Sequence, residues 1–273
     1  MSAEEWEGRE GRGRRRRRRR VGPPRGLYLL PHLFTTGNLF FGFFAIVQAT
    51  MGRFDRAAFG IVLAAVCDLL DGRVARLARS TSRFGAEYDS IADTVSFGVA
   101  PAMLAFWAGN LQVMGRPGWL MAFLFTACAA LRLARFNVSP SKIAGCFEGL
   151  PTPAAAGMVA TTQWFVSFVR EQGVTVQFPE AVVAGGVAAL GLLMVSQIPY
   201  RSFKELDLRH SYGTLVLVVL SLVLMAQEPR VTLFAIGLVY VASGPLEWAL
   251  RRVAGRPRER VVPETAPGPF PQG

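Results

Sequence analysis

The chain has 273 residues, 51% of them hydrophobic, with a mean hydropathy of +0.32. That is too apolar for a soluble protein of this length and predicts a polytopic membrane protein. The formal net charge is +11, and the three cysteines (Cys67, Cys128, Cys146) lie in or beside apolar runs, which excludes a disulfide framework.

Residues 1–25 read as a disordered basic cytoplasmic arm, with an unbroken arginine run from Arg14 to Arg20. Its acidic start and its lack of a small-residue cleavage site argue against a cleaved signal. Such a run can bind nucleic acid. Ahead of a transmembrane segment it more simply holds the N-terminus in the cytoplasm and meets anionic lipid headgroups, so no nucleic-acid partner is expected. Apolar segments follow at 29–50, 57–78, 86–109, 118–136, 152–170, 179–199, 212–227 and 231–250. Most approach the ~20 residues that cross a bilayer core. They predict an all-α polytopic membrane helix bundle of about eight transmembrane helices, one domain over 26–252, and a disordered Pro/Gly-rich tail over 253–273.

Loop charges set the expected orientation. Arg73, Arg76, Arg79 and Arg83 fall on one side, with Arg132, Arg135, Lys142, Arg201, Lys204, Arg209 and the arginines from Arg251 onward; the other side holds few. By the positive-inside rule, both termini are expected in the cytoplasm, with the chain integral to the cytoplasmic membrane.

Asp68 and Asp71 close the second segment, and Asp89 and Asp93 open the third. Spacings of three and four put each pair on one helix face. Taken singly, each pair reads as solvated helix ends beside Arg73, Arg76, Arg79 and Arg83. Four carboxylates in two matched pairs at a membrane boundary read instead as a cation site. All-oxygen ligands suit Mg²⁺, Mn²⁺ or Ca²⁺ rather than zinc. Intramembrane carboxylates also line ion paths, but a transporter would place them near mid-membrane.

The pattern Asp68-x2-Asp71-Gly72-x2-Ala75-Arg76-x8-Gly85-x3-Asp89-x3-Asp93 resembles the defining motif of the CDP-alcohol phosphatidyltransferases at every fixed position. Those enzymes move a phosphatidyl group from a CDP-linked lipid to an alcohol and release CMP. The resemblance implies that Asp68, Asp71 and Asp89 bind metal and that Asp93 is both a ligand and the general base. The implied cofactor is Mg²⁺ or Mn²⁺ as two ions, which can clamp the attacking and leaving oxygens of a displacement. On the donor side, Gly72 and Ala75 would leave room for the nucleotide, and Arg76 would fork pyrophosphate oxygens. Gly85 lets the third helix start close to the second, and Ser82 lies near the nucleotide or caps that helix. The first segment, Pro31-His32-Leu33-Phe34-Thr35-Thr36-Gly37-Asn38-x3-Gly42, resembles the family's first-helix motif, with His32 where relatives carry Asn. Thr35 and Asn38 are thereby expected at the CDP-lipid.

The blocks Phe84–Pro101, Leu131–Asn137 and Phe147–Ala154 resemble the serine-accepting branch of that family, the phosphatidylserine synthases. The implied substrates are CDP-diacylglycerol and L-serine, among membrane lipids, in a homodimer. Serine's carboxylate needs a cation, for which Arg132 and Arg135 are candidates; Ser96, Asn137 and Glu148 complete the expected acceptor contacts. The plain alternative is that both arginines only snorkel at the boundary. Acceptors such as glycerol 3-phosphate or inositol phosphate would want a denser basic pocket.

Overall fold

The computed structural model describes residues 29–78, 83–138, 146–174, 176, 178–201, 220 and 223–253. The basic arm, the loop 79–82, most of the segment 212–227 and the tail beyond Val253 lie outside them.

Helices α1 (Leu29–Thr50) and α2 (Phe54–Ala78) form a hairpin. Gly52 makes the turn at φ 72°, and the amides of Gly52 and Arg53 reach back to the carbonyls of Ala49 and Gln48 at 3.1 and 2.9 Å. A left-handed glycine just past the helix end satisfies its last carbonyls in this way. The predicted segment 86–109 is one continuous span built in three parts: α3 (Arg83–Asp93), a π-helical turn (Thr94–Val99) and α4 (Ala100–Ala108). The widening falls immediately before Pro101, whose ring nitrogen cannot donate to the preceding turn. Then come α5 (Arg116–Val138), α6 (Thr152–Glu171), α7 (Glu180–Val195) and α8 (Pro229–Val253). Pro151 and Pro179 stand at the N-caps of α6 and α7, where a missing amide matters least.

Among the described residues, four spans are long and apolar enough to cross a bilayer: His32–Thr50, Phe84–Ala108, Arg116–Val138 and Pro229–Leu250. Helix α2 carries Asp68, Asp71 and Arg73 in its second half, which lowers its hydropathy. Helix packing follows membrane rules, with small residues where backbones approach. One core joins Ala45, Ala49, Ala57, Ala58 and Ala64 to Phe97, Leu104, Ala156 and Ala160. A second joins Ala122, Phe125 and Ala129 of α5 to Ala155, Val187, Met194 and Tyr200. Large apolar side chains such as Leu33, Phe43, Phe123, Leu192 and Val239 face outward, as a lipid-facing surface requires. The chain is therefore a multi-pass membrane protein with an all-α fold.

Two features were not expected. Strands β1 (Cys146–Glu148) and β2 (Pro199–Arg201) pair antiparallel, with Phe147 opposite Tyr200. Three-residue strands are too short to leave a periodic signal, and the pair ties the loop after α5 to the end of α7. The second feature concerns Pro245, inside α8, which cannot donate to the carbonyl of Val241 four residues earlier. The buried Tyr200 replaces that donor: its hydroxyl reaches Val241 O at 3.1 Å, and its ring lies against Gly244, where a Cβ would overlap it. Tyr200→Phe should orphan the carbonyl at a cost of about 1–3 kcal/mol and lower the melting temperature in detergent, while Gly244→Ala should do so by steric overlap. An unchanged melting temperature for Tyr200→Phe would show that the bond contributes nothing.

Candidate active site

Helix α2 presents Asp68 and Asp71 on one face, and α3 presents Asp89 and Asp93. The hairpin and the third helix bring these faces together. One carboxylate oxygen each from Asp68, Asp71 and Asp89 lies within 4.8 Å of the others. Opposite ligands on Mg²⁺ would stand about 4.2 Å apart, and on Ca²⁺ about 5 Å. The trio therefore suits a divalent cation with small side-chain adjustment. Asp71 Oδ2 and Asp89 Oδ1 are buried and have no hydrogen-bond partner among the described residues. Buried anionic oxygens in that condition are costly unless a cation meets them. On donor chemistry, spacing and orphaned atoms, the aspartates fit a hard divalent ion.

Asp93 stands beside the trio rather than within it. It lies in electrostatic range of Asp68, Asp89 and Asp71, and its Oδ1 accepts a 2.8 Å hydrogen bond from Asn38 Nδ2. The hydroxyl of Thr35, one turn earlier on α1, bonds Asp71. Thr35 and Asn38 are 4% and 0% exposed, so both are enclosed between helices. Expected at the CDP-lipid, they stand in this structure against the carboxylates of the same centre. The physical reason is register: the α1 face that carries both residues is the one packed on α2 and α3.

Ser96 does share the face of Asp93, as its spacing predicts, but that face is packed on α1. It is fully buried, its hydroxyl donates to Asn38 O at 2.9 Å, and a Cβ on Gly42 would overlap it. Ser96 is a packing residue in this structure and is not presented to an acceptor. The remaining donor-side candidates are less crowded. Gly72 has nothing among the described residues within 4 Å of where a Cβ would stand. Gly85 lies in the first turns of α3. The side chains of Ala75, Arg76 and Glu148, and Ser82 altogether, lie outside what is described.

Arg132 and Arg135 are on α5. Arg132 is half-buried in electrostatic range of Asp93; its Nη1 donates to the buried Thr152 Oγ1 at 3.0 Å, and its Nε is buried without a partner among the described residues. Arg135 is exposed on the last turn. Asn137 is exposed, and its amide donates to Ser90 Oγ at 2.8 Å, tying α5 to α3 next to Asp89. Two neighbours of Arg132 were not singled out from sequence. Thr152 lies in a block that carries the family resemblance, which was the available signal. Tyr240, in electrostatic range of Arg132, comes from α8, where no motif points to it.

Fold and site together define a multi-pass membrane helix bundle whose polar centre is a cluster of carboxylates held by its first three helices. The sequence model of the CDP-alcohol phosphatidyltransferase family matches residues 28–198, and the chain belongs to that family. It is 38% identical over 227 residues to the CDP-diacylglycerol–serine O-phosphatidyltransferase of Helicobacter pylori strain J99, covering 83% of this chain and 93% of that one. The protein of that name from Mycobacterium tuberculosis H37Rv is 32% identical over 244 residues, 82% of each chain. Its namesake in Saccharomyces cerevisiae is 40% identical over 155 residues, 50% of this chain and 53% of that one.

Proposed function

We propose that this protein transfers the phosphatidyl group of CDP-diacylglycerol to the hydroxyl of L-serine, giving phosphatidylserine and CMP. The observation that carries the reading is the carboxylate trio of Asp68, Asp71 and Asp89 with Asp93 beside it. Serine-specific names among relatives that span most of the chain support the acceptor.

Asp68, Asp71 and Asp89 would hold the divalent cation, Mg²⁺ or Mn²⁺, with Asp93 as a further ligand; the family resemblance implies two ions. When bound, the metal neutralises pyrophosphate charge and the departing CMP. Asp93 takes the proton of the serine hydroxyl. The serine oxygen attacks the phosphorus that bears the diacylglycerol oxygen. The new O–P bond forms as the pyrophosphate P–O bond breaks, and CMP leaves with that electron pair. The proton on Asp93 then passes to solvent. No Cys, His or Ser of the motif offers itself as a covalent nucleophile, so a single displacement is the simplest path. Gly72, Ala75, Arg76, Ser82 and Gly85 form the CDP-lipid side. Arg132 is the principal candidate for the serine carboxylate, with Arg135, Asn137 and Glu148 at the periphery.

The enzyme would sit in the cytoplasmic membrane as a homodimer, with both termini and the carboxylate centre on the cytoplasmic side, the arm at 1–25 and the tail at 253–273 flanking one domain. Charge asymmetry supports the orientation. In a background lacking the native cysteines, a cysteine at position 116 should label from outside intact cells and one at position 79 should not; the reverse pattern refutes the topology.

The function is tested with purified protein, CDP-diacylglycerol and a panel of alcohols, reading CMP release. L-Serine should outpace glycerol 3-phosphate and inositol phosphate. Excess chelator should abolish turnover, and Mg²⁺ or Mn²⁺ should restore it. Preference for a phosphorylated acceptor, or full activity in chelator, would overturn the reading.

A further inference from the structure

Helix α1 contributes no carboxylate, yet it supplies a neutral donor to each aspartate pair. Thr35 bonds Asp71 of α2, and Asn38 bonds Asp93 of α3 at 2.8 Å. The two donors are three residues apart and so share a face. Both are almost wholly buried, which makes either one expensive unless its bond matters. Asn38 Oδ1 is buried with no partner among the described residues, so the bond to Asp93 is what the amide gains there. If the position served packing alone, an apolar side chain of the same shape would serve at least as well.

The electrostatics explain what such donors accomplish. Asp93 faces the like charges of Asp68, Asp89 and Asp71. A neutral N–H at 2.8 Å holds one carboxylate oxygen without neutralising the group. It leaves Oδ2 as the oxygen not engaged by Asn38. The backbone reinforces this register. Ser96 bonds Asn38 O at 2.9 Å across the close approach at Gly42, so the π-helical turn just after Asp93 is pinned to α1 at the residue that grips Asp93. Thr35 acts likewise on Asp71, which also takes a hydrogen bond from the Gly72 backbone, while Asp71 Oδ2 is left without a partner among the described residues.

We infer that Thr35 and Asn38 are positioning residues: α1 is a template that sets the rotamers of Asp71 and Asp93, so that Asp71 meets the cation with Asp68 and Asp89, and Asp93 meets the acceptor hydroxyl. The inference deepens the proposed transferase reading and rests on it for the role of Asp93. Residues that orient ligating carboxylates typically contribute 10- to 100-fold in metal affinity or activity.

The test uses full-length protein in detergent. Thr35→Val should weaken Mn²⁺ binding, read by electron paramagnetic resonance without substrate, by roughly 10- to 100-fold, and Thr35→Ser should restore it. Asn38→Leu should lower kcat by a similar factor with the KM for CDP-diacylglycerol unchanged, and its effect should vanish in an Asp93→Asn background, because it acts through that residue. If Asn38→Leu does not fold, judged by its melting temperature, Asn38→Ser carries the same cycle. The idea is overturned if Thr35→Val binds Mn²⁺ normally, if the Asn38 substitution raises the CDP-diacylglycerol KM while sparing kcat, or if the two substitutions multiply independently. The Mn²⁺ arm needs no serine turnover, so it separates failure of this inference from failure of the proposed reaction.

Discussion

Asp93→Asn is expected to lower kcat by roughly 10²- to 10⁴-fold, and by more if a metal contact is lost with it, while the KM for CDP-diacylglycerol stays near native. An amide cannot take the serine proton, but it is isosteric and can still occupy the place against Asn38. The expectation differs from that for the trio. Asp68, Asp71 and Asp89 are gathered within 4.8 Å, so removing one of those charges should first show as weakened metal binding. Single-turnover measurements with saturating metal separate the two effects. Near-native turnover by Asp93→Asn would show that the proton goes elsewhere.

The second large effect is expected at Arg132. Its Nη1 is held by Thr152, its Nε is orphaned among the described residues, and Asp93 lies in electrostatic range. A guanidinium with one Nη held by Thr152 and its Nε still unpartnered keeps donors for a carboxylate. Arg132→Ala should raise the KM for serine by roughly 10- to 150-fold, the equivalent of about 1.5–3 kcal/mol for a charge-assisted hydrogen bond, with a smaller change for CDP-diacylglycerol. Lysine should rescue only in part, because it cannot fork a carboxylate. Arg135, exposed on the last turn of α5, should matter less when replaced. A native serine KM for Arg132→Ala would reduce that arginine to a boundary anchor.

What was legible in the chain follows from what periodicity carries. Spacings of three and four fix which side chains share a helix face, so the pairing of Asp68 with Asp71 and of Asp89 with Asp93 was readable from residue spacing alone. Seven of the apolar runs coincide with described helices, with ends that differ by only a few residues, and the run 212–227 lies mostly outside the described residues. Periodicity does not say which face meets which neighbour. The contacts of Thr35 and Asn38 with Asp71 and Asp93, and the seal of Ser96 against α1, are therefore not legible in spacing. The π-helical turn left no pattern beyond Pro101. The service of Tyr200 to the carbonyl freed by Pro245 joins positions 41 residues apart along the chain, beyond any local signal. Tyr240 comes within electrostatic range of Arg132 because α8 packs on α6.

The most direct measurement of the account is product stoichiometry with purified protein, CDP-diacylglycerol, Mg²⁺ or Mn²⁺, and labelled L-serine. One CMP should appear for each phosphatidylserine formed, and almost none without serine. CMP released at the same rate without serine, or with no label entering lipid, would contradict transfer to serine at this carboxylate centre.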